Sequence, residues 1–287
     1  MQAHAYSTTL PTPLPHHQSG LGMTAAAGRG PADEQATVRA NRSWWDFSAR
    51  EYYAEHGAFL GDAGFVWGPE GWTEAELNLL GATPGQRILE IGGGAGQCGR
   101  WLASERGATV VSSDLSLGML EVGRQIEERH GIRLPLVQCD ATRLPFADES
   151  FDTVFTSYGA VPFVADSAGL LAEAARVVRP GGRVVFSTTH PFRWAFPDVP
   201  GKAGLTATMS YFDRTPYVET DDHGRLAYAE HHRTMGDRVR ELVAAGLVLK
   251  DVVEPEWPAR NEQEWGGWSP LRGRVFPGTA IFVCRRP

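Results

Sequence analysis

From Gln86 onward the hydrophobic positions fall into short β-branched runs separated by segments of helical spacing. The runs are RILEI at 87–91, TVVSSD at 109–114, LPLVQCD at 134–140, FDTVFTS at 151–157, GRVVFST at 182–188, LVLKDVVE at 247–254 and TAIFVCR at 279–285. Stretches near 96–106, 117–130, 166–178 and 235–245 predict the intervening helices. Strand and helix alternating in this way is the signature of parallel βαβ units, so the expected fold is α/β, with one doubly wound seven-stranded sheet.

Upstream, Val38, Trp45, Phe47 and Tyr52 recur among polar residues at helical spacing, and Gly57 stands where that helix is expected to stop. WTEAELNLLG predicts a second helix ending at Gly81. The first 36 residues are rich in Pro, Gly, Ala and Thr and poor in large apolar side chains. Too little burial is available there to offset the entropy of ordering, so 1–36 is expected to be a disordered leader that includes His16 and His17, with Met23 an alternative start. Between His190 and Thr234 aromatics, prolines and charges follow no clean period, which marks an insertion expected to cover the active site. The expected organisation is the leader 1–36, a helical cap 37–82, and a main domain 83–287 whose insertion, 191–233, faces the acceptor.

A formal net charge of −7 with no run of Lys or Arg argues against nucleic acid as partner. Three widely spaced cysteines, Cys98, Cys139 and Cys284, indicate neither a disulfide framework nor a metal site, and a cytoplasmic setting fits them best. No segment reaches the roughly 20 apolar residues of a membrane span. The partner expected is a small molecule, and the oligomeric state is left open.

The chemistry concentrates at the strand ends, where parallel α/β sheets hold ligands. EIGGGAGQCG, residues 90–99, has two readings. From Gly94 it is a Gly-x-Gly-x-x-Gly dinucleotide fingerprint, with Asp114 as the ribose acid 20 residues on. From Glu90 it is an acid followed by glycines, and an acid at that mouth repels a pyrophosphate but welcomes a cation. S-adenosylmethionine carries an ammonium and a sulfonium, so a crevice holding Glu90, Asp114 and Asp140 suits it.

Four blocks, ILEIGGGAGQ, SSDLSLGMLE, CDATRLPFADESFDTVF and AARVVRPGGRVVFST, carry a resemblance to class I S-adenosylmethionine-dependent methyltransferases. The similarity is to the small-molecule branch of ubiquinone- and menaquinone-type enzymes, and it spans about 86–190. The resemblance implies a Rossmann-like sheet with the last strand antiparallel, an N-terminal helical cap and an insertion after the fifth strand. It further implies that Glu90, Gly92 and Gly94 line the methionine and ribose, and that Asp114 binds the ribose hydroxyls. Leu115 and Met119 would border the adenine, Asp140 and Ala141 read its exocyclic amine, Ser157 and Tyr158 face the sulfonium, and Tyr52 close the opposite side. Core packing by Leu115 and Met119, and a turn-capping role for Asp140, are the competing explanations.

For the acceptor, His190 after the fifth strand and the pair His231 and His232 are candidate proton acceptors, of which at most one is expected to serve. Phe192, Trp194, Phe196, Tyr211 and Phe212 would form an apolar chamber, with Trp44, Trp45, Tyr52 and Tyr53 opposite. The expected activity is methyl transfer to a small aromatic or polycyclic metabolite, with oxygen favoured over nitrogen and carbon because histidine bases are at hand. The alternatives are a protein that binds S-adenosylmethionine without transferring methyl, and an NAD-dependent oxidoreductase.

Overall fold

The computed structural model describes residues 24–287. Its elements begin with β1 (Ala26–Arg29), α1 (Glu34–Leu60), α2 (Glu74–Leu77), β2 (Arg87–Ile91), α3 (Gln97–Arg106), β3 (Thr109–Asp114), α4 (Leu117–His130) and β4 (Leu136–Gln138). There follow β5 (Phe151–Ser157), α5 (Ser167–Val177), β6 (Val178–Thr189), β7 (Tyr217–Thr220), β8 (Leu226–Glu230), α6 (Met235–Ala244), β9 (Val248–Val253), α7 (Pro270–Gly273) and β10 (Thr279–Arg285).

Seven strands form the main sheet in the order β4-β3-β2-β5-β6-β10-β9. Neighbours from β4 to β6 pair in parallel, whereas β10 lies antiparallel to both β6 and β9. This is the Rossmann-like sheet with an antiparallel last strand. Sequence order reverses at β2, which lies between β3 and β5, so the ligand crevice of such a sheet opens beyond the carboxyl end of β2. Within β2, Leu89 and Ile91 pack into the layer holding Leu170 and Leu171 of α5. Ile88 faces the opposite layer with Leu102 of α3, and Glu90, two residues on, shares that side. Each fully buried aliphatic side chain of this kind contributes roughly 1.5–3 kcal/mol, which fixes the strand's register and aims Glu90 at the start of α3.

Asp33 caps α1 by accepting a hydrogen bond from the Ala36 amide at 2.7 Å, leaving the helix pointed across the crevice. The expected stop at Gly57 falls inside the helix. The chain turns out instead at Gly61, whose φ of 73° with ψ of 156° is a backbone conformation that glycine adopts without strain, while a glycine within a helix costs only about 1 kcal/mol. The helix expected to reach Gly81 is a single turn. The buried Glu74 carboxylate accepts from the Leu79 and Leu80 amides at 3.0 and 2.9 Å, and Asn78 takes a left-handed φ of 48°. Those amides therefore have no use for helical carbonyls.

The disordered leader requires a correction over 24–36; residues 1–23, with His16, His17 and Met23, lie outside the described residues. Ala26–Arg29 pairs antiparallel with β7, which pairs antiparallel with β8 in a second, three-stranded sheet. Arg29 also donates to the Thr215 carbonyl at 2.7 Å and stacks over Trp194. Backbone pairing to a distant edge, not apolar burial, orders this segment.

Candidate cofactor and acceptor site

The carboxyl end of β2 delivers a loop in which Gly92 and Gly94 have φ of 62° and 57°. A Cβ on Gly92 would lie 2.9 Å from that of Ala160, and one on Gly94 3.0 Å from the Met119 methyl, so both positions require glycine for conformation and for space. At the end of β3, Asp114 accepts from the Gly94 amide at 2.8 Å and from the Ser116 amide at 2.8 Å. The two bonds tie the strand ends together and fix the carboxylate's orientation. Burial raises its pKa, those backbone amides oppose the rise, and the Asp46 charge adds to it.

Glu90 is buried, with its Oε2 accepting from the Ser112 hydroxyl at 2.7 Å and the Gly99 amide at 3.2 Å. Gly99 lies in the first turn of α3, where amides lack helical partners, so the acid satisfies one of them and meets the positive end of the helix. Burial nevertheless pushes Glu90 up to about 7, against the hydrogen bond from Ser112 and the charge of Arg100. A carboxyl held near neutrality in a cavity wall is one that a cationic ligand can ionise. The geometry also weighs against the dinucleotide reading, because Glu90 occupies the Gly99 amide in the first turn of α3, where a pyrophosphate would seek donors.

These strand ends open on a cavity of about 510 Å³. Glu90, Gly92, Gly94, Asp114, Leu115 and Met119 line it, and so do Asp140, Ala141, Ser157, Tyr158 and Tyr52. All eleven expected cofactor residues therefore converge on one space. Asp140 also caps the turn after β4, accepting from the Thr142 amide and hydroxyl at 2.9 Å each. The Ser157 hydroxyl donates to the Val66 carbonyl at 2.6 Å, tying the end of β5 to the loop after α1. Tyr158 follows with φ of 61°, a left-handed strain of about 1–3 kcal/mol for a side chain of that size, and its hydroxyl bonds Thr189 at 3.2 Å. Cys98 and Cys139 line the same space as thiols, the first held well above its ordinary pKa by burial and the second pushed up by burial to about 11.

The side expected to receive the acceptor is built from other residues. None of His190, His231 and His232 lines the cavity; all three are buried in protein. Nε2 of His190 bonds Glu254 at 2.7 Å, that of His231 bonds Thr37 at 3.0 Å, and that of His232 bonds the Tyr211 carbonyl at 2.8 Å. Burial lowers the pKa of all three, to about 4 for His231 and His232, where neighbouring arginines add to the effect. They are structural imidazoles. Phe192, Trp194, Phe196, Tyr211 and Phe212 also lie off the cavity; Phe196 stacks on Phe276 at 4.5 Å, and Trp194 faces His232. The insertion packs along α1, where Asn41 clamps both backbone groups of Ala229, and it sends Tyr228 alone of its aromatics into the cavity.

The aromatic wall comes instead from α1 and from the turn before α7. Trp44, Trp45, Tyr52, His56 and Phe59 line the cavity, while Tyr53 does not, and Trp265 and Trp268 face them. His56 stacks on Trp265 with centroids 4.0 Å apart and planes 12° from parallel. His56 and Trp265 were not among the residues expected from sequence. The signal was present for His56, since Trp45, Tyr52, His56 and Phe59 are spaced seven, four and three residues apart, which places them on one helical face. Nothing local marks Trp265.

The sheet order and the crevice are similar to those of class I S-adenosylmethionine-dependent methyltransferases. Residues 89–186 match the family model described as "Methyltransferase domain", and this segment is related to the menaquinone-type enzymes. A demethylmenaquinone methyltransferase of Beutenbergia cavernae is 44% identical over 124 residues, covering 43% of this chain and 49% of that protein. One from a Mycobacterium species is 47% identical over 120 residues, covering 41% and 49%. The chain thus spans about half the length of the curated relatives it matches. Among solved structures, an S-adenosylmethionine-dependent methyltransferase of Mesorhizobium loti is 28% identical with a TM-score of 0.58, covering 76% of this chain and all of that one. Among the described residues no helix is long and apolar enough to cross a membrane, and no cluster of His, Cys, Asp and Glu could hold a metal ion.

Proposed function

We propose that this chain transfers the methyl group of S-adenosylmethionine to a neutral, planar small molecule of aromatic or quinone-like character. The observation that carries the reading is the shared cavity: the glycine loop, Glu90 and Asp114 line one side and the aromatic faces of α1, Trp265 and Trp268 the other. Glu90 would meet the cofactor's ammonium, Asp114 the ribose hydroxyls, and Asp140 with Ala141 the adenine edge. The carboxylates Glu55, Glu90, Asp114, Asp140 and Glu264 line the space without a Lys or Arg among its walls. Such a field favours the cationic cofactor and disfavours an anionic acceptor, so the acceptor enters neutral. Aromatic faces hold a flat molecule by stacking, and most of the rate would come from aligning its nucleophile behind the methyl carbon. The names of the demethylmenaquinone methyltransferases support a quinone-like acceptor.

The test is calorimetry with S-adenosylhomocysteine and NADH, followed by transfer of labelled methyl from S-adenosylmethionine to a panel of aromatic acceptors. S-adenosylhomocysteine binding without NADH binding is expected, with label in an aromatic product. NADH binding alone would overturn the reading.

A further inference from the structure

His56 differs from every other described histidine in where it sits. Among the described residues it is the one imidazole lining the cavity, and neither of its ring nitrogens makes a hydrogen bond to protein. The ring is held by faces and edges instead. Trp265 stacks on it at 4.0 Å, and Tyr52 meets it edge-on at 4.7 Å. A flat ring sandwiched in this way keeps its orientation while its nitrogens remain available to whatever occupies the cavity. The titratable groups around it are Tyr52 and Glu55 on its own helix and, from the segment carrying Trp265, Glu264, which lines the same cavity. Glu55 Oε2 lies 3.8 Å from Nε2, close enough to stabilise an imidazolium by charge but beyond hydrogen-bond reach.

We propose that His56 is the general base of the transfer and that the acceptor therefore presents a hydroxyl of phenol or hydroquinone type. The assignment rests on the methyl-transfer reading given above. A ring nitrogen of His56 takes the hydroxyl proton as the oxygen attacks the methyl carbon. The O–C bond forms, the C–S bond breaks with its electron pair remaining on sulfur, and the imidazolium then releases the proton to solvent. A wall rich in carboxylates and without Lys or Arg cannot store a phenolate, so ionisation has to accompany transfer, and that is what a base within the cavity provides. Burial holds His56 below its ordinary pKa of 6.5, with Glu55 opposing the shift, so the ring is neutral and competent at pH 7. Turnover should rise with pH through a pKa below 6.5 and then level off.

The experiment compares wild type, His56→Gln and Glu55→Gln in transfer of labelled methyl to a panel of phenols, hydroquinones, arylamines and carbon nucleophiles. S-adenosylhomocysteine calorimetry on each variant controls for folding and the cofactor site. The expected results are methyl on oxygen, a loss of roughly 100-fold or more in turnover for His56→Gln with cofactor affinity retained, and disappearance of its acid limb. In Glu55→Gln that limb should move to lower pH, a shift that a merely structural His56 would not show. Turnover of His56→Gln within threefold of wild type, or label only on carbon or nitrogen, would overturn the assignment while leaving methyl transfer standing. Failure of the wild type to bind S-adenosylhomocysteine would overturn both.

Discussion

Replacing Glu90 by Gln should make the ligand-free protein more stable and worse at holding its cofactor. Burial raises this carboxyl from 4.5 to about 7. The folded protein therefore keeps a proton that the unfolded chain has lost. The resulting penalty is absent below pH 4.5, grows between 4.5 and 7 and is complete above 7. At about 1.4 kcal/mol per pKa unit it reaches about 3 kcal/mol. Gln keeps an acceptor oxygen for Gly99 and Ser112 and has nothing to ionise, so at pH 8 the variant should melt up to roughly 6–12 °C higher. At pH 4 the two proteins should melt together. The same substitution removes the proposed partner of the cofactor's ammonium, a charge-assisted bond of about 1.5–3 kcal/mol, so S-adenosylhomocysteine should bind roughly ten- to a hundredfold more weakly. Thermal unfolding at the two pH values and calorimetry in buffers of different ionisation enthalpy measure both effects, since the wild type should release a proton on binding near pH 7 and the variant should not. Glu70, pushed up to about 7 by burial as well, gives both proteins some pH dependence, so only their difference reports on Glu90. A variant less stable than wild type at pH 8 with unchanged ligand affinity would refute the reasoning.

Asp114→Ala should weaken S-adenosylhomocysteine binding by about 2–4 kcal/mol in calorimetry, because it removes the proposed ribose partner and strands the Gly94 and Ser116 amides. His231 and His232 stay neutral in the folded protein down to about pH 4, whereas the unfolded chain protonates them near 6.5, so stability should fall as pH drops from 6.5 through 4. His232→Gln should flatten that slope in thermal unfolding without changing cofactor affinity. A variant beginning at Pro31 loses β1 but keeps the Asp33 cap, and should be about 1–3 kcal/mol less stable in denaturant titration while still binding S-adenosylhomocysteine.

The central sheet was legible because its information is local. Four strands, at 87–91, 109–114, 151–157 and 279–285, have the bounds that their β-branched runs predict. The glycine loop and the acids ending successive strands could be read for the same reason: a parallel sheet converts strand ends into a shared crevice. What escaped depends on long-range contacts. Strand β1 exists because β7 offers an edge some 190 residues away, and no composition rule over 24–36 contains that partner. The three expected histidines carry suitable chemistry, but Thr37, Tyr211 and Glu254 turn them inward, and those contacts appear only once the chain has folded. Trp265 reaches His56 across more than 200 positions, so the aromatic wall could be half seen, as one face of α1, and no further.

The cavity's two sides have separate sources in the chain. Glu90 through Ala160 fall within the matched segment 89–186, whereas Trp44, His56, Phe59, Trp265 and Trp268 all lie outside it. On the proposed function, methyl donor and methyl recipient would be handled by portions of the polypeptide free to vary independently. If that function holds, exchanging the outward turns of α1 together with the 264–268 turn should redirect methyl transfer to other recipients while S-adenosylmethionine keeps its address, and the natural diversification of such a chain should be sought in its two flanks.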